Sequence, residues 1–166
     1  MISGQVIEHS TLKTCLFFVS LINCFATMNT DSISCPCHSG KKYQECCQPY
    51  HTGTPPENAL ALMRSRYAAY ALQLADYIMQ TTHPHNKAYL SDKERWKKEI
   101  MGRYKNTDFY DLEILEFVDG PQEAYVTFTA HLRQEGRDVS FTEKSRFLKV
   151  DGRWLYESGE RGLIIS

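Results

Sequence analysis

The segment Cys35–Cys47, CPCHSGKKYQECC, constrains this chain more than any other. Four of the six cysteines fall within its thirteen residues: Cys35 and Cys37 form a Cys-x-Cys pair, and Cys46 and Cys47 are adjacent. Two close pairs of soft thiolates are the donor set that a tetrahedral zinc ion takes. The stretch between them is built to reverse. Gly40, after Ser39, can enter backbone regions closed to other residues, and Pro36 fixes the backbone between the first two thiols. A disulfide between adjacent Cys46 and Cys47 would need a strained ring.

Composition limits the rest. The chain has 166 residues, 42% hydrophobic and 23% charged, with a formal net charge of -1. That suits one ordinary domain with a small appendage and gives no global pull toward nucleic acid or membrane. No apolar run reaches bilayer-spanning length. Residues 1–32 are set apart as an N-terminal extension. Within them Leu16–Phe25 is apolar, with Lys13 before it and Ala26 after, like the core of a signal peptide. Glu8 and His9 stand where such a peptide carries positive charge, which favours translation starting at Met28. Thiols kept for metal belong in a reducing compartment, so a cytoplasmic location is expected, and secretion only if residues 1–27 are a true signal peptide. Cys15 and Cys24 receive no role.

After the cysteines, Thr52–Pro56 (TGTPP) reads as a linker. Leu60, Met63, Tyr67, Tyr70, Ala71, Leu74, Tyr77 and Ile78 recur at helical spacing, predicting one helix from Glu57 to Gln80. A second helix fits Ser91–Tyr104, with Ser91 and Glu94 as a capping box and Trp96 and Ile100 on one face. From Phe109 the period changes to two. Strands are predicted at 109–118, 122–133, 138–150 and 153–158, with turns at Glu135-Gly136 and Asp151-Gly152. Helices ahead of an antiparallel meander give an α+β class.

The cysteine segment closely resembles the SEC-C motif of the SecA tail through Cys35, Cys37, Ser39–Tyr43, Cys46 and Cys47. That resemblance implies that Cys35, Cys37, Cys46 and Cys47 are the metal ligands, in a motif spanning 33–52. The remainder resembles the YchJ family of small bacterial proteins through Pro49-Tyr50-His51, LMRSRYAAY at 62–70, SRF at 145–147 and GRWLY at 152–156. It implies a nuclear-transport-factor-2-like (cystatin-like) domain over 57–160, in which a curved antiparallel sheet wraps helices into a cone. In this family the motif is often found at both ends of the chain; here no cysteine follows Cys47.

Four protein ligands would close a zinc site, making one structural ion. Lys41 and Lys42 would partly offset its negative charge and offer a basic contact to an acidic partner, or simply be solvated. In the second domain, Arg64, Tyr67, Glu143, Arg146 and Trp154 are the candidate cone or pocket residues. Arg64 and Arg66 flank the helical stripe on opposite sides. Alternation puts Glu143 on one face with Val139, Phe141, Ser145 and Phe147, where a carboxylate needs a partner. The bland reading is an ion pair with an arginine such as Arg64; the functional one is an acid or base in the cone. His131 faces away from the apolar side, and His83 and His85 are a weak second metal pair. No phosphate-cradling loop or nucleophile elbow is present.

These readings make the chain a zinc-binding protein acting as a protein-interaction module or scaffold. By analogy with SecA, its partner would be a chaperone or ribosomal component. The alternative is a small-ligand-binding protein or an acid-base enzyme, hydrolase or isomerase in type, using the cone. The absence of a catalytic constellation leans against the enzyme.

Overall fold

The computed structural model describes residues 33–162, so the expected extension, with Cys15 and Cys24, lies outside the described residues. The fold is α+β. A knuckle at 33–47 leads into α1 (Gln48–His51), followed by α2 (Ala59–Ala71), α3 (Ala75–Gln80) and α4 (Lys93–Arg103). Then come β1 (Thr107–Val118), β2 (Glu123–Gln134), β3 (Arg137–Asp138), β4 (Phe141–Val150) and β5 (Arg153–Gly162). All pair antiparallel, in the order β1-β2-β4-β5, with β3 beside β2. Among the described residues, no helix is long and apolar enough to cross a membrane.

The period-two pattern of β2 is realised as expected. Ala124, Val126, Phe128, Ala130 and Leu132 are all buried and form one core with Leu62, Met63 and Tyr67 of α2. Two hairpins close through two-residue turns with both centres at positive φ, Glu135-Gly136 (50° and 79°) and Asp151-Gly152 (49° and 78°). This geometry matches the natural twist of the strands.

Four expectations need correction. The helix predicted over Glu57–Gln80 is two helices, because Gln73 adopts φ 58° and ends α2. The Leu74 N–H donates to Ala69 O (2.8 Å) and the Gln73 N–H to Tyr70 O (3.2 Å), the two bonds of a Schellman cap. The α4 helix is capped not by Ser91 but by Asp92, whose side chain accepts from Arg95 N. The strand predicted at 138–150 is interrupted, since the Ser140 hydroxyl takes the place of a backbone partner for the Leu132 N–H (2.9 Å). Finally, β5 runs four residues past Ser158, to Gly162.

The β5 edge is partly covered. After α3, the chain at Thr82 bridges Tyr156 in parallel, with His83 N–H to Tyr156 O (2.8 Å) and Tyr156 N–H to Thr81 O (2.9 Å). Pairing of this kind shields backbone groups that would otherwise template another strand.

Candidate functional site: a cysteine cluster and an open cone

Backbone bonds shape the knuckle. Cys35 N–H donates to Lys41 O (2.8 Å), His38 N–H to Cys35 O (3.0 Å) and Tyr43 N–H to Ile33 O (3.0 Å). His38 and Gly40 supply the positive φ that the reversal needs, 55° and 76°. The result gathers the Sγ atoms of Cys35, Cys37, Cys46 and Cys47 within 4.8 Å of one another. None is bonded to another as a disulfide. A metal–sulfur bond of about 2.3 Å in a tetrahedron requires sulfurs about 3.8 Å apart; Cys37 to Cys46 is 3.5 Å and Cys46 to Cys47 is 3.9 Å. The four thiolates therefore fit one metal ion. As bare thiols they compete for protons. Hydrogen bonding with Cys37 pushes the Cys35 thiol up to about 12, and the bond with Cys35 raises Cys47. Cys37, bonded by Cys35 and then Cys47, is held far below the ordinary thiol range. A cation removes this competition by stabilising all four as thiolates.

The knuckle is docked, not merely tethered. Cys35, Cys37 and Cys47 bury against Ala68 of α2, which is fully enclosed. Arg64 donates to Cys37 O (3.1 Å), and His38 Nε2 lies 3.0 Å from Phe109 O at the start of β1. His51 joins three parts: Nε2 meets Ser65 O (2.9 Å), Nδ1 meets Tyr43 Oη (2.8 Å), and the ring stands edge-on to Tyr77. Sequence reasoning singled out His51 only for its place in the family pattern and missed this joint.

The cone holds an open cavity of about 180 Å³ between α2, α4 and the inner face of the sheet. Met63, Ile78, Ile100, Phe128 and Phe147 give it apolar walls, and Arg66, Glu143 and Tyr156 a polar floor. Glu143 is buried, as its strand position predicted, but its partner is not Arg64. Its Oε2 accepts from Arg161 Nε (2.9 Å), and its Oε1 from Ser145 Oγ (2.7 Å) and Tyr156 Oη (3.0 Å). Burial first, then the charge of Glu143, holds Tyr156 above the ordinary phenol range, so it remains a donor.

Of the candidate pocket residues, Tyr67 and Glu143 line the cavity and three do not. Arg64 is turned toward the knuckle. Arg146 lies on the outer face, bridging Glu123 (2.8 Å) and Glu157 (3.3 Å), because alternation from Glu143 and Ser145 puts it on the other side. Trp154 is core and borders a separate cavity of about 270 Å³ beside Tyr50, His51 and Tyr77. His131 is half-exposed, 3.8 Å from Glu113. His83 and His85 stack edge-on, and the cysteines are the one cluster of metal-ligand side chains found among the described residues.

Comparison with known proteins agrees with both parts. Residues 33–49 match the model of the SEC-C motif, and residues 58–159 match "YchJ, middle NTF2-like domain". A UPF0225 protein of Serratia proteamaculans is 37% identical over 132 residues, covering 76% of this chain and 82% of its own. The solution structure of a SEC-C motif containing protein from Rhodopseudomonas palustris superposes with a TM-score of 0.66 at 36% identity, covering 77% of this chain and 98% of its own. The crystal structure of another, from Psychrobacter arcticus, gives 0.65 at 27% identity, covering 84% and 88%. With cysteine cluster, sheet order and cone all in place, this chain belongs to the YchJ (UPF0225) family, a SEC-C motif joined to an NTF2-like domain.

Proposed function

We propose that this protein binds a small molecule in its cone, and that one zinc ion held by Cys35, Cys37, Cys46 and Cys47 braces the wall of that cone. The observation that carries the reading is the cavity itself: about 180 Å³ left open between the helices and the sheet, with apolar walls and a polar floor. Zinc is the ion of choice because a set of four converging thiolates favours it over harder cations. Four protein ligands leave it no open position, so it supplies folding energy and no chemistry. The cluster's need for reduced thiols favours a reducing compartment such as the cytoplasm.

Binding is favoured over catalysis by the state of Glu143. Three donors converge on its oxygens, so its acceptor positions are already occupied and it is ill-placed to take a substrate proton. Native mass spectrometry should find one zinc per chain, and thermal-shift screening of small metabolites should find a stabilising class. A metal-free, fully folded protein would overturn the first part; a complete absence of stabilising ligands would overturn the second.

A protein partner is a second reading. Lys41 and Lys42 are exposed on the knuckle and pair with no carboxylate among the described residues, a surface suited to an acidic segment. A chaperone or ribosomal component would be such a partner, by analogy with the SecA tail. Capture of such a protein that survives Lys41→Glu with Lys42→Glu would count against that surface.

A further inference from the structure

We infer that the ligand of the cone is a small monocarboxylate with an apolar body, its carboxylate received by Arg66. This rests on the ligand-binding reading and adds the chemistry of recognition. Arg66 is only 6% exposed and lines the cavity. Its Nη1 is fully used, donating to Ile78 O (3.1 Å), Thr81 Oγ1 (2.7 Å) and Thr82 Oγ1 (3.2 Å). All of these acceptors are neutral. Among the described residues no carboxylate pairs with Arg66, and no hydrogen bond reaches its Nε or Nη2.

The buried acid of the same cavity does not compensate it. Glu143 is already paired with Arg161, so that pair is neutral and Arg66 remains as one surplus positive charge. Nature rarely leaves a buried charge unpaired, because the interior does not replace the water it has lost. The guanidinium instead presents a flat fork of donors, the shape that a carboxylate fits with two oxygens. Its carbon lies 4.7 Å from the centroid of the Tyr156 ring, which fixes the plane of the fork. The Tyr70 hydroxyl, beside it on the cavity wall, has no hydrogen-bond partner among the described residues and is kept protonated by burial, leaving a second donor for the same anion.

Size and wall chemistry set the remainder of the ligand. Met63, Ile78, Phe128 and Phe147 offer no partner for further polar groups. A cavity of roughly 150 Å³ lined this way holds a benzene ring, so about 180 Å³ accommodates a ring or a short chain. Arg103 also borders the cavity without an ion pair among the described residues, but it is exposed to solvent, so Arg66 is the one buried surplus charge, which suits a monoanion better than a doubly charged phosphate ester.

The test uses the metal-loaded protein and four probes: 3-phenylpropanoate, hexanoate and the primary amide of each. Binding is read by calorimetry and by amide cross-peak shifts at Tyr67, Tyr70 and Phe147. Each acid should bind at least about 10-fold more tightly than its amide, the better of the two acids telling an aromatic body from an aliphatic one. Arg66→Met should weaken acid binding at least about 30-fold while sparing the amides. Because Arg66 also holds Ile78–Thr82, this variant can lose its fold; Arg66→Lys, which keeps the charge, should then retain a reduced preference for the acids. Equal binding of acids and amides by the unmutated protein would overturn the carboxylate assignment and leave ligand binding standing. Binding of no probe at all would overturn both.

Discussion

Replacing His51 by Phe tests whether the knuckle and the helices are held as one unit. Ser65 O can only accept, so His51 Nε2 carries the proton and Nδ1 accepts from the Tyr43 hydroxyl. The ring is neutral in this arrangement. Phe keeps the edge-on packing against Tyr77 but removes both hydrogen bonds. At about 1 kcal/mol each, the loss is about 2 kcal/mol, or a fall in Tm of roughly 4–10 °C for a domain of this size. The pH dependence is the sharper readout. Burial depresses the His51 pKa, outweighing the Ser65 bond and the charge of Cys37, which oppose it. In the unfolded chain the imidazole titrates near 6.5. Below that pH the unfolded state takes up a proton that the folded state refuses. Stability is therefore lost as pH falls from about 6.5 toward the depressed folded value, by at most about 1.4 kcal/mol per pH unit, and the loss is absent above it. Thermal unfolding of both metal-loaded proteins at pH 7.5 and 5.5 should show the gap between them narrowing at the lower pH. An equal gap at both values, or no gap at pH 7.5, would refute the reasoning.

Gln73→Gly should raise stability by about 0.5–1 kcal/mol in urea unfolding, since φ 58° costs a side chain strain that glycine escapes; a decrease would mean that the Gln73 Nε2 bond to Tyr70 O (3.1 Å) matters more. Gly159→Ala should destabilise the protein and shift the cross-peaks of the cavity wall, because its methyl would meet the Glu143 carboxylate and the Tyr156 hydroxyl. An unchanged spectrum around Tyr156 would contradict that close approach. Phe147→Ala, at a site only 1% exposed, should cost about 3–5 kcal/mol by chemical denaturation, and a cost under 1 kcal/mol would show that the core there is loosely packed.

What could be read in the sequence was local. Four of the six cysteines lie within thirteen residues, so their convergence needs only a short loop. The β2 alternation survives because every inward residue joins the one core that α2 also enters. The break after Ala71 was hidden because Gln73 carries no composition signal; a glycine there would have announced it. Ser91 and Asp92 are both good caps in adjacent positions, and only the backbone chooses between them. The partner of Glu143 was out of reach for a subtler reason. Counting back from the two-residue turn at Asp151-Gly152 places Glu160 opposite it. One extra residue between Tyr156 and Ser158 shifts the register, and Arg161 arrives instead. Arg66 was recognised as flanking the stripe, but a helical pattern gives a side and not a depth. Its burial depends on Thr81 and Thr82 returning across it after α3.

The α2 helix has a consequence for how metal and ligand act on one another. On one side Ala68 and Arg64 meet the cysteine loop; on the other Met63, Arg66, Tyr67 and Tyr70 face the cavity. A single rigid wall thus serves two sites whose occupants never touch. If, as proposed, an ion and a ligand occupy them, whatever free energy the ion contributes by holding that wall in place appears as tighter ligand binding, and thermodynamic reciprocity requires the ligand to tighten metal binding by the same factor. On the proposed reading, withdrawing the metal would weaken ligand binding in the cone, and a filled cone would resist the withdrawal.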